Sequence, residues 1–339
     1  MPAHSRDWPR LPDGELLDRT ISSLGLEIAG TALERRIHRL HGELARAGLR
    51  FKPYVWLSTD WFTPDGVTGF AVPFYLAHTR LARLERRILH EVEGGTQASC
   101  LQLLRHEAAH AFDHAYRLRR RKRWRELFGR SGEPYRSSYV PDPSSRSHVL
   151  NLDYWYAQSH PLEDFAETFA VWLQPGSRWR TRYAGWPALE KLEYVDALMR
   201  EIGSTPPPVR TRARPDAVRS VRTTLREHYR ARQRIYRQEP LGELDAPLTR
   251  IFDPERRRRR ETAARFLTRH RRELRHHVSR VTGQHAYVVD QMLNELILRS
   301  RALRLQRHQP EREARLDSTA LLTALTMSFL RGGPAEYQR

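Results

Sequence analysis

The sequence predicts an α+β fold for roughly its first two hundred residues, followed by a mostly α-helical, basic C-terminal part. Two short stretches of strand-forming residues, 54–57 and 67–76, flank the turn-rich segment 63–66. Several later segments repeat apolar residues every three or four positions, as amphipathic helices do. All eight tryptophans precede residue 190, which concentrates the large aromatic side chains in the first part.

A proline-rich segment marks the predicted domain boundary. Residues 204–215 contain four prolines, which fix φ and remove backbone donors, so we expect an extended linker there. We therefore expect a helical N-terminal lead at 1–49, the α+β domain at 50–203 and an Arg-rich helical region at 216–339. Helices are expected at about 30–48, 81–89, 216–238, 255–281, 285–308 and 316–331.

Positive charge is concentrated in the C-terminal region. The formal net charge is +19, and residues 205–339 alone hold 30 Arg against 15 Asp and Glu. Only three of the 59 basic residues are lysine, which indicates a compositional bias toward arginine and weakens the inference of a dedicated nucleic-acid surface. Nucleic acid or an acidic protein stays a candidate partner, favoured by the arginine run 256–260 near the start of a predicted helix.

Cysteine content and hydropathy indicate the cellular compartment. The single cysteine, Cys100, excludes an intramolecular disulfide framework and a zinc ribbon. The first residues include no apolar stretch of signal-peptide length, and no segment approaches the roughly 20 apolar residues that span a bilayer. We expect a soluble, cytoplasmic protein with no membrane partner.

The segment 103–116 contains the pattern His-Glu-x-x-His at His106, Glu107 and His110. Thr96 is expected to cap a helix whose core face is built from leucines and alanines at helical spacing. The two histidines then lie about 40° apart around the helix, so both imidazoles can reach one cation. Glu107 is turned about 100° from His106, beside the position of a water that the metal would activate.

A third metal ligand has to come from another part of the chain. A metzincin would have a glycine three residues after His110 and a histidine six residues after it, but these positions are Asp113 and Tyr116. That class is therefore excluded. The segment 159–173 is predicted to be a helix that begins at a proline and carries two carboxylates on the face opposite its aromatic residues. Carboxylates without nearby basic residues on such a face favour a bound cation.

These two motifs resemble those of the gluzincin metallopeptidases, in which a glutamate on a second helix completes a two-histidine site. The sequence Glu163-Asp-Phe-Ala-Glu167 is similar to a Glu-Phe-Phe-Ala-Glu stretch in the catalytic domain of anthrax lethal factor, and to bacterial proteins described as zinc-binding metallopeptidases. The resemblance implies one Zn²⁺ ion held by His106, His110 and Glu163, with Glu167 accepting a hydrogen bond from a ligand histidine. It also implies that Tyr156, seven residues before Glu163, stabilises the oxyanion.

The predicted function is a zinc-dependent metallopeptidase that cleaves a protein or peptide substrate, with Glu107 as general base and acid. The resemblance covers about residues 50–200 and implies a zincin-like domain with a small sheet and an active-site helix. Strand 67–76 is expected to be an edge strand that binds an extended substrate through main-chain hydrogen bonds. The arginine-rich run 117–125 is expected to extend the motif helix. We expect it to be a solvated helix end, and the alternative is that it contacts an acidic substrate or phosphates.

Several alternatives stay open at this point. Glu167 can replace Glu163 as the ligand because of their four-residue spacing, and His160 is a further candidate for the third ligand. His114 is expected beside the site or in the core, and Tyr156 can serve packing instead of catalysis. The histidines can also be hydrogen-bonded core residues without a metal. The alternative functions are a catalytically inactive zincin-fold protein that regulates or binds nucleic acid, and a protein with a structural zinc ion.

Overall fold

The computed structural model describes residues 7–135, 139, 141–142, 144–235, 244–254 and 261–332. Within these residues the fold is α+β, as predicted, with two sheets of two strands each. The strands are β1 (Tyr54–Ser58), β2 (Gly69–Pro73), β3 (Asp253–Pro254) and β4 (Leu305–Gln306). The α-helices are α1 (Asp13–Leu17), α2 (Ala32–Arg46), α3 (Thr79–Leu89), α4 (Gln97–Tyr116), α5 (Lys122–Phe128), α6 (Pro161–Leu173), α7 (Trp179–Arg182), α8 (Ala188–Ile202), α9 (Leu225–Ile235), α10 (Asp245–Ile251), α11 (Ala263–Thr282), α12 (Ala286–Ala302) and α13 (Glu311–Gly332).

The chain divides into two compact units. The described residues of Met1–Arg86 and Val92–Tyr229 form unit 1, and those of Arg87–Glu91 and Arg230–Arg339 form unit 2. The domain boundaries predicted from the prolines stay a prediction. The end of the proline-rich segment lies against β1, since Trp56 Nε1 donates to the carbonyl of Pro215 at 2.9 Å.

The sheet of unit 1 consists of two parallel strands. β1 and β2 pair from Tyr54 with Gly69 to Ser58 with Pro73. A Cβ atom at Gly69 would lie 2.4 Å from the Tyr54 carbonyl oxygen, so glycine permits this close approach. β2 is buried along its whole length, and the Ala71 amide donates to Phe62 O at 2.8 Å. That amide is not available to a substrate strand, contrary to the expectation of an open edge.

Two helices of unit 1 pack around an aromatic core. α4 begins after Thr96, whose side chain accepts a hydrogen bond from Ser99 N, and α6 begins at Pro161, both as predicted. The rings of Phe112 on α4 and Phe169 on α6 lie 5.4 Å apart, and both side chains are fully buried. Burying a phenylalanine contributes about 1.5–3 kcal/mol, so this contact fixes one helix against the other.

The arginine-rich run does not extend the motif helix, which corrects that prediction. α4 ends at Tyr116, and Arg117 adopts a left-handed conformation with φ 55°. The buried Asp113 carboxylate accepts a hydrogen bond from Arg119 N at 2.8 Å and forms an ion pair with the Arg119 guanidinium. These contacts between Asp113 and Arg119 stabilise a turn after α4, and a separate helix begins at Lys122.

The helices predicted for the C-terminal region are present, with different bounds, as α9, α11, α12 and α13. The predicted apolar stripe of α12 is buried at Val288, Met292 and Leu296. Arg299, which interrupts that stripe, pairs with Asp245 on α10, a helix that the sequence pattern did not predict. The arginine run 256–260 lies outside the described residues. None of the described helices is both long and apolar enough to cross a bilayer.

Candidate metal centre

Three side chains from two helices of unit 1 converge on one point. His106 Nε2 lies 3.0 Å from Glu163 Oε2 and 3.2 Å from His110 Nε2. His110 Nε2 lies 3.4 Å from the same carboxylate oxygen. His106 and Glu163 are 3% and 4% exposed, so water screens this contact weakly.

The chemistry of these groups fits a zinc ion. His106 Nδ1 lies 2.8 Å from Glu167 Oε1, and donation across that contact leaves Nε2 as an acceptor. The nitrogens of His106 and His110 then meet the Glu163 carboxylate with their lone pairs, and the three groups could together hold a metal ion. Two imidazoles and one carboxylate are the protein ligands of many catalytic zinc sites, which keep a further position for water or substrate.

The carboxylates of Glu163 and Glu167 on either side of His106 favour a positive charge on its ring. Burial lowers the pKa of His106, but its hydrogen bonds to Glu163 and Glu167 outweigh this and raise the pKa to about 10. Burial raises the pKa of Glu163, while His110 and His106 outweigh it and hold that pKa well below its ordinary value. The two carboxylates therefore require a positive charge between them, which a divalent cation can supply in place of the imidazolium.

Glu107 is not one of the three convergent side chains, but it lies close enough to His106, His110 and Glu163 to interact with them electrostatically. Its carboxylate Oε2 accepts a hydrogen bond from Thr63 Oγ1 at 2.7 Å, and the residue is 7% exposed. Burial raises the pKa of Glu107, opposed by the nearby His106 and His110. A carboxyl group whose pKa is raised binds a proton more readily than a free carboxyl group, which suits a general base that later acts as an acid.

Glu167 supports the centre without joining the convergent atoms. Its Oε1 accepts a hydrogen bond from Asn151 Nδ2 at 2.8 Å, and its Oε2 accepts one from Leu152 N at 2.7 Å. These two hydrogen bonds fix the position of the carboxylate. Its contact with His106 then holds the imidazole in one orientation. Tyr156 follows on a 3₁₀ helix, Asp153–Gln158, with its ring centroid 5.7 Å from that of His106.

The other candidate histidines lie in different environments. His160 caps α6, with Nδ1 accepting from Leu162 N at 3.1 Å and Nε2 donating to Glu133 O at 2.9 Å. Neither of its ring nitrogens is left for a metal. His114 Nδ1 accepts a hydrogen bond from Gly66 N at 3.1 Å, and the residue is outside the convergent group.

Three contacts of the centre were missed from the sequence. Thr63 holds Glu107, Asn151 holds Glu167, and the Tyr135 hydroxyl donates to Glu163 Oε1 at 3.1 Å. Thr63 lies in the predicted turn-rich segment, but neither Thr63 nor Tyr135 has a spacing that relates it to the motif helices. No local pattern could have found these pairs.

Comparison with curated proteins and comparison with solved structures each gave no match. The likeness to the gluzincins and to lethal factor therefore rests on the sequence motifs. A family model does match the segment 86–185, which is less than a third of the chain but contains α4, α6 and the 3₁₀ helix Asp153–Gln158. The family that this segment matches is described as "Putative zinc-binding metallo-peptidase".

Proposed function

We propose that this chain is a zinc-dependent metallopeptidase that hydrolyses peptide bonds of a protein or peptide substrate. The convergence of His106 Nε2, His110 Nε2 and Glu163 Oε2, at separations of 3.0–3.4 Å, is the observation that carries this proposal. The family match over 86–185 supports the general class of the enzyme, a metallopeptidase.

In this proposal His106, His110 and Glu163 hold one Zn²⁺ ion. Zinc bound there supplies a Lewis acid that polarises the scissile carbonyl and acidifies a water molecule. Glu107 takes up the proton of that water at its carboxylate and delivers it to the leaving amine. The Glu167 carboxylate holds the Nδ1 proton of His106, so that the imidazole keeps Nε2 toward the centre.

Tyr156 is proposed to donate its hydroxyl proton in a hydrogen bond to the oxygen of the tetrahedral intermediate. Its support is the position on the 3₁₀ helix beside His106, with the ring centroids 5.7 Å apart. Loss of one such donor typically lowers kcat by about 10²–10³-fold. Tyr156→Phe should therefore lower kcat by about that factor and leave the zinc content unchanged, whereas a packing role would lower thermal stability instead.

The decisive experiment measures zinc content and peptide cleavage on the same preparations. The wild-type chain, Glu107→Gln and His110→Ala are analysed by mass spectrometry for bound metal and for cleavage of a peptide library. We expect wild type and Glu107→Gln to bind one zinc ion per chain, and only wild type to cleave. His110→Ala should lose both properties, and His114→Ala, a substitution on the same helix outside the convergent group, should keep the zinc.

Two outcomes would contradict the proposal. If wild type and Glu107→Gln both bind zinc but neither cleaves any peptide or the chain itself, the ion is structural or the fold is catalytically inactive. If Glu107→Gln cleaves as fast as wild type, the activity does not arise from this carboxylate.

A further inference from the structure

Unit 2 contains a cavity of about 670 Å³. It lies between the N-terminal end of α11, the C-terminal end of α12 and β4. Four arginines line it: Arg265 and Arg269 from α11, Arg301 from the end of α12, and Arg304 two residues after that helix. Its volume is within the range of about 300–1,000 Å³ that small-molecule sites occupy.

The positive charge of this cavity is only partly compensated. Arg269 pairs with Glu261 at 2.9 Å and with Glu311 at 3.0 Å, so its charge is balanced. Within the described part of the chain, Arg265, Arg301 and Arg304 take part in no ion pair. Three uncompensated guanidinium groups around one concave surface create a positive potential that favours an anion.

The helix ends at the cavity do not account for that potential. The N-terminal end of α11 favours negative charge, but the C-terminal end of α12 lies at the same cavity and opposes it. Two terminal carbonyls of α12 are already satisfied, since Leu303 N and Arg304 N donate to Arg299 O and Arg301 O. The arginine side chains therefore determine which ligand the cavity can attract.

The remaining wall offers neutral polar and apolar groups. Ser300 is 1% exposed, and no hydrogen-bond partner for its hydroxyl is present among the described residues. A buried hydroxyl without a partner reduces stability, and a ligand or water oxygen would relieve this cost. Ala264 and Leu305 also line the cavity, but they are 5% and 1% exposed and leave a ligand little apolar surface.

We propose that this cavity binds a small ligand that carries two or more linked phosphate groups, as inorganic polyphosphates and nucleoside triphosphates do. The guanidinium fork matches phosphate oxygens with two parallel hydrogen bonds. Three uncompensated guanidinium groups exceed the charge of one phosphate monoester, so a ligand with several phosphates is favoured. A concave site of this volume suits a small molecule better than the extended backbone of a nucleic acid, which needs a groove that follows its strand.

Arg304 provides a variant that should fold. Its φ of 51° lies in the left-handed region, which glycine adopts without strain. Arg304→Gly therefore removes a guanidinium group from the cavity without adding backbone strain. Arg280→Ala is the matched control, because it removes the same charge from an exposed position of α11 outside the cavity lining.

The test measures binding of inorganic tripolyphosphate and of ATP to the full chain by calorimetry, at about 0.15 M salt to limit non-specific attraction. Both zinc-loaded and chelator-treated protein are titrated. We expect one binding event per chain in both preparations, weakened about tenfold or more in Arg304→Gly and less than about twofold in Arg280→Ala. Melting curves of the variants establish that both are folded. If tripolyphosphate binds as tightly as ATP, the site recognises the phosphates alone. If ATP binds more tightly, the nucleoside contributes to the affinity.

Three results would overturn the inference. Equal weakening in Arg304→Gly and Arg280→Ala would show that tripolyphosphate responds only to overall charge. Absence of binding to wild type would exclude the site, and binding that disappears with the chelator would place the phosphates on the zinc. A single-stranded oligonucleotide that binds more tightly than ATP and depends on Arg304 would assign the cavity to nucleic acid instead.

Discussion

Zinc affinity should respond differently to the two isosteric substitutions Glu163→Gln and Glu167→Gln. Glu163 places one carboxylate oxygen 3.0 Å and 3.4 Å from the Nε2 atoms of His106 and His110. Glu167 instead contacts the Nδ1 atom of His106 at 2.8 Å. The first substitution removes a negatively charged ligand of the proposed site, and the second removes only the partner that orients a ligand.

The magnitudes follow from these contacts. Loss of a residue that orients a metal ligand typically weakens metal binding by about 10–100-fold, which is about 1.4–2.7 kcal/mol. Glu167→Gln should fall in this range. Its amide NH₂ would also face a group that now donates to the carboxylate, either Asn151 Nδ2 or Leu152 N, at a cost of about 1–3 kcal/mol in stability. Glu163→Gln should weaken zinc binding by more than about 100-fold, beyond the range for an orienting residue.

Competition with a chromogenic chelator at fixed pH measures both zinc dissociation constants, and urea denaturation of the chelator-treated proteins measures their stability. If Glu167→Gln loses more zinc affinity than Glu163→Gln, the roles of the two glutamates are exchanged. If neither substitution changes the affinity, zinc is bound elsewhere in the chain and the proposed centre is wrong.

Three further predictions concern residues around the centre. Glu43→Leu leaves the buried Arg105 guanidinium, now paired at 2.7 Å and 3.0 Å, without its partner, and should lower the free energy of unfolding by about 3–5 kcal/mol in urea titrations. Thr63→Val removes the 2.7 Å hydrogen bond to the Glu107 carboxylate, and should lower kcat on a cleaved peptide by about 10–100-fold without changing the zinc content. Burial lowers the pKa of His114 from 6.5 to about 4, so the folded state binds fewer protons than the unfolded state between these values and stability is lost as the pH falls. His114→Gln should reduce the stability loss of the zinc-free chain between about pH 7 and pH 4.5 by about 2.5 kcal/mol, measured by urea denaturation at both pH values.

Matched controls separate these effects from general destabilisation. Arg39→Ala removes the half-exposed partner that contacts the same Glu43 at 3.4 Å, and should cost less than about 1 kcal/mol. If it costs as much as Glu43→Leu, the buried pair is not the source of the effect. Thr63→Ser keeps the hydroxyl and should restore most of the activity, and a serine variant as slow as the valine variant would contradict the hydrogen bond. An unchanged pH dependence in His114→Gln would show that this imidazole binds its proton as readily in the folded chain as in the unfolded chain.

The sequence predicts those parts of the site that depend on neighbours along the chain. Thr96 and Pro161 set the starts of two helices, and the spacing of His106 and His110 places them on one helical face. These features need only the geometry of a single helix. The approach of Glu163 to the two imidazoles depends on packing between helices, and here the sequence left Glu163 and Glu167 as alternatives.

Features controlled by distant contacts were missed or misplaced. The prediction that the helix continues past Arg117 was wrong, because the Asp113 carboxylate binds Arg119 and the chain turns. The hydroxyl of Thr63 reaches Glu107 from 44 positions away, and α10 is too short to show a periodic pattern. The two strands were predicted without a direction of pairing, because the parallel pairing of β1 with β2 depends on the path of the connection between them.

The Glu167 carboxylate connects two parts of the centre that are usually considered separately. One of its oxygens contacts the imidazole of His106, and the other accepts the backbone amide of Leu152, directly before the turn that carries Tyr156. A lengthened or shortened 151–158 turn would therefore displace the Glu167 carboxylate, which also holds the imidazole of His106 in position. Loop engineering aimed at substrate preference would alter metal retention as a side effect, and the two outcomes would have to be assayed together.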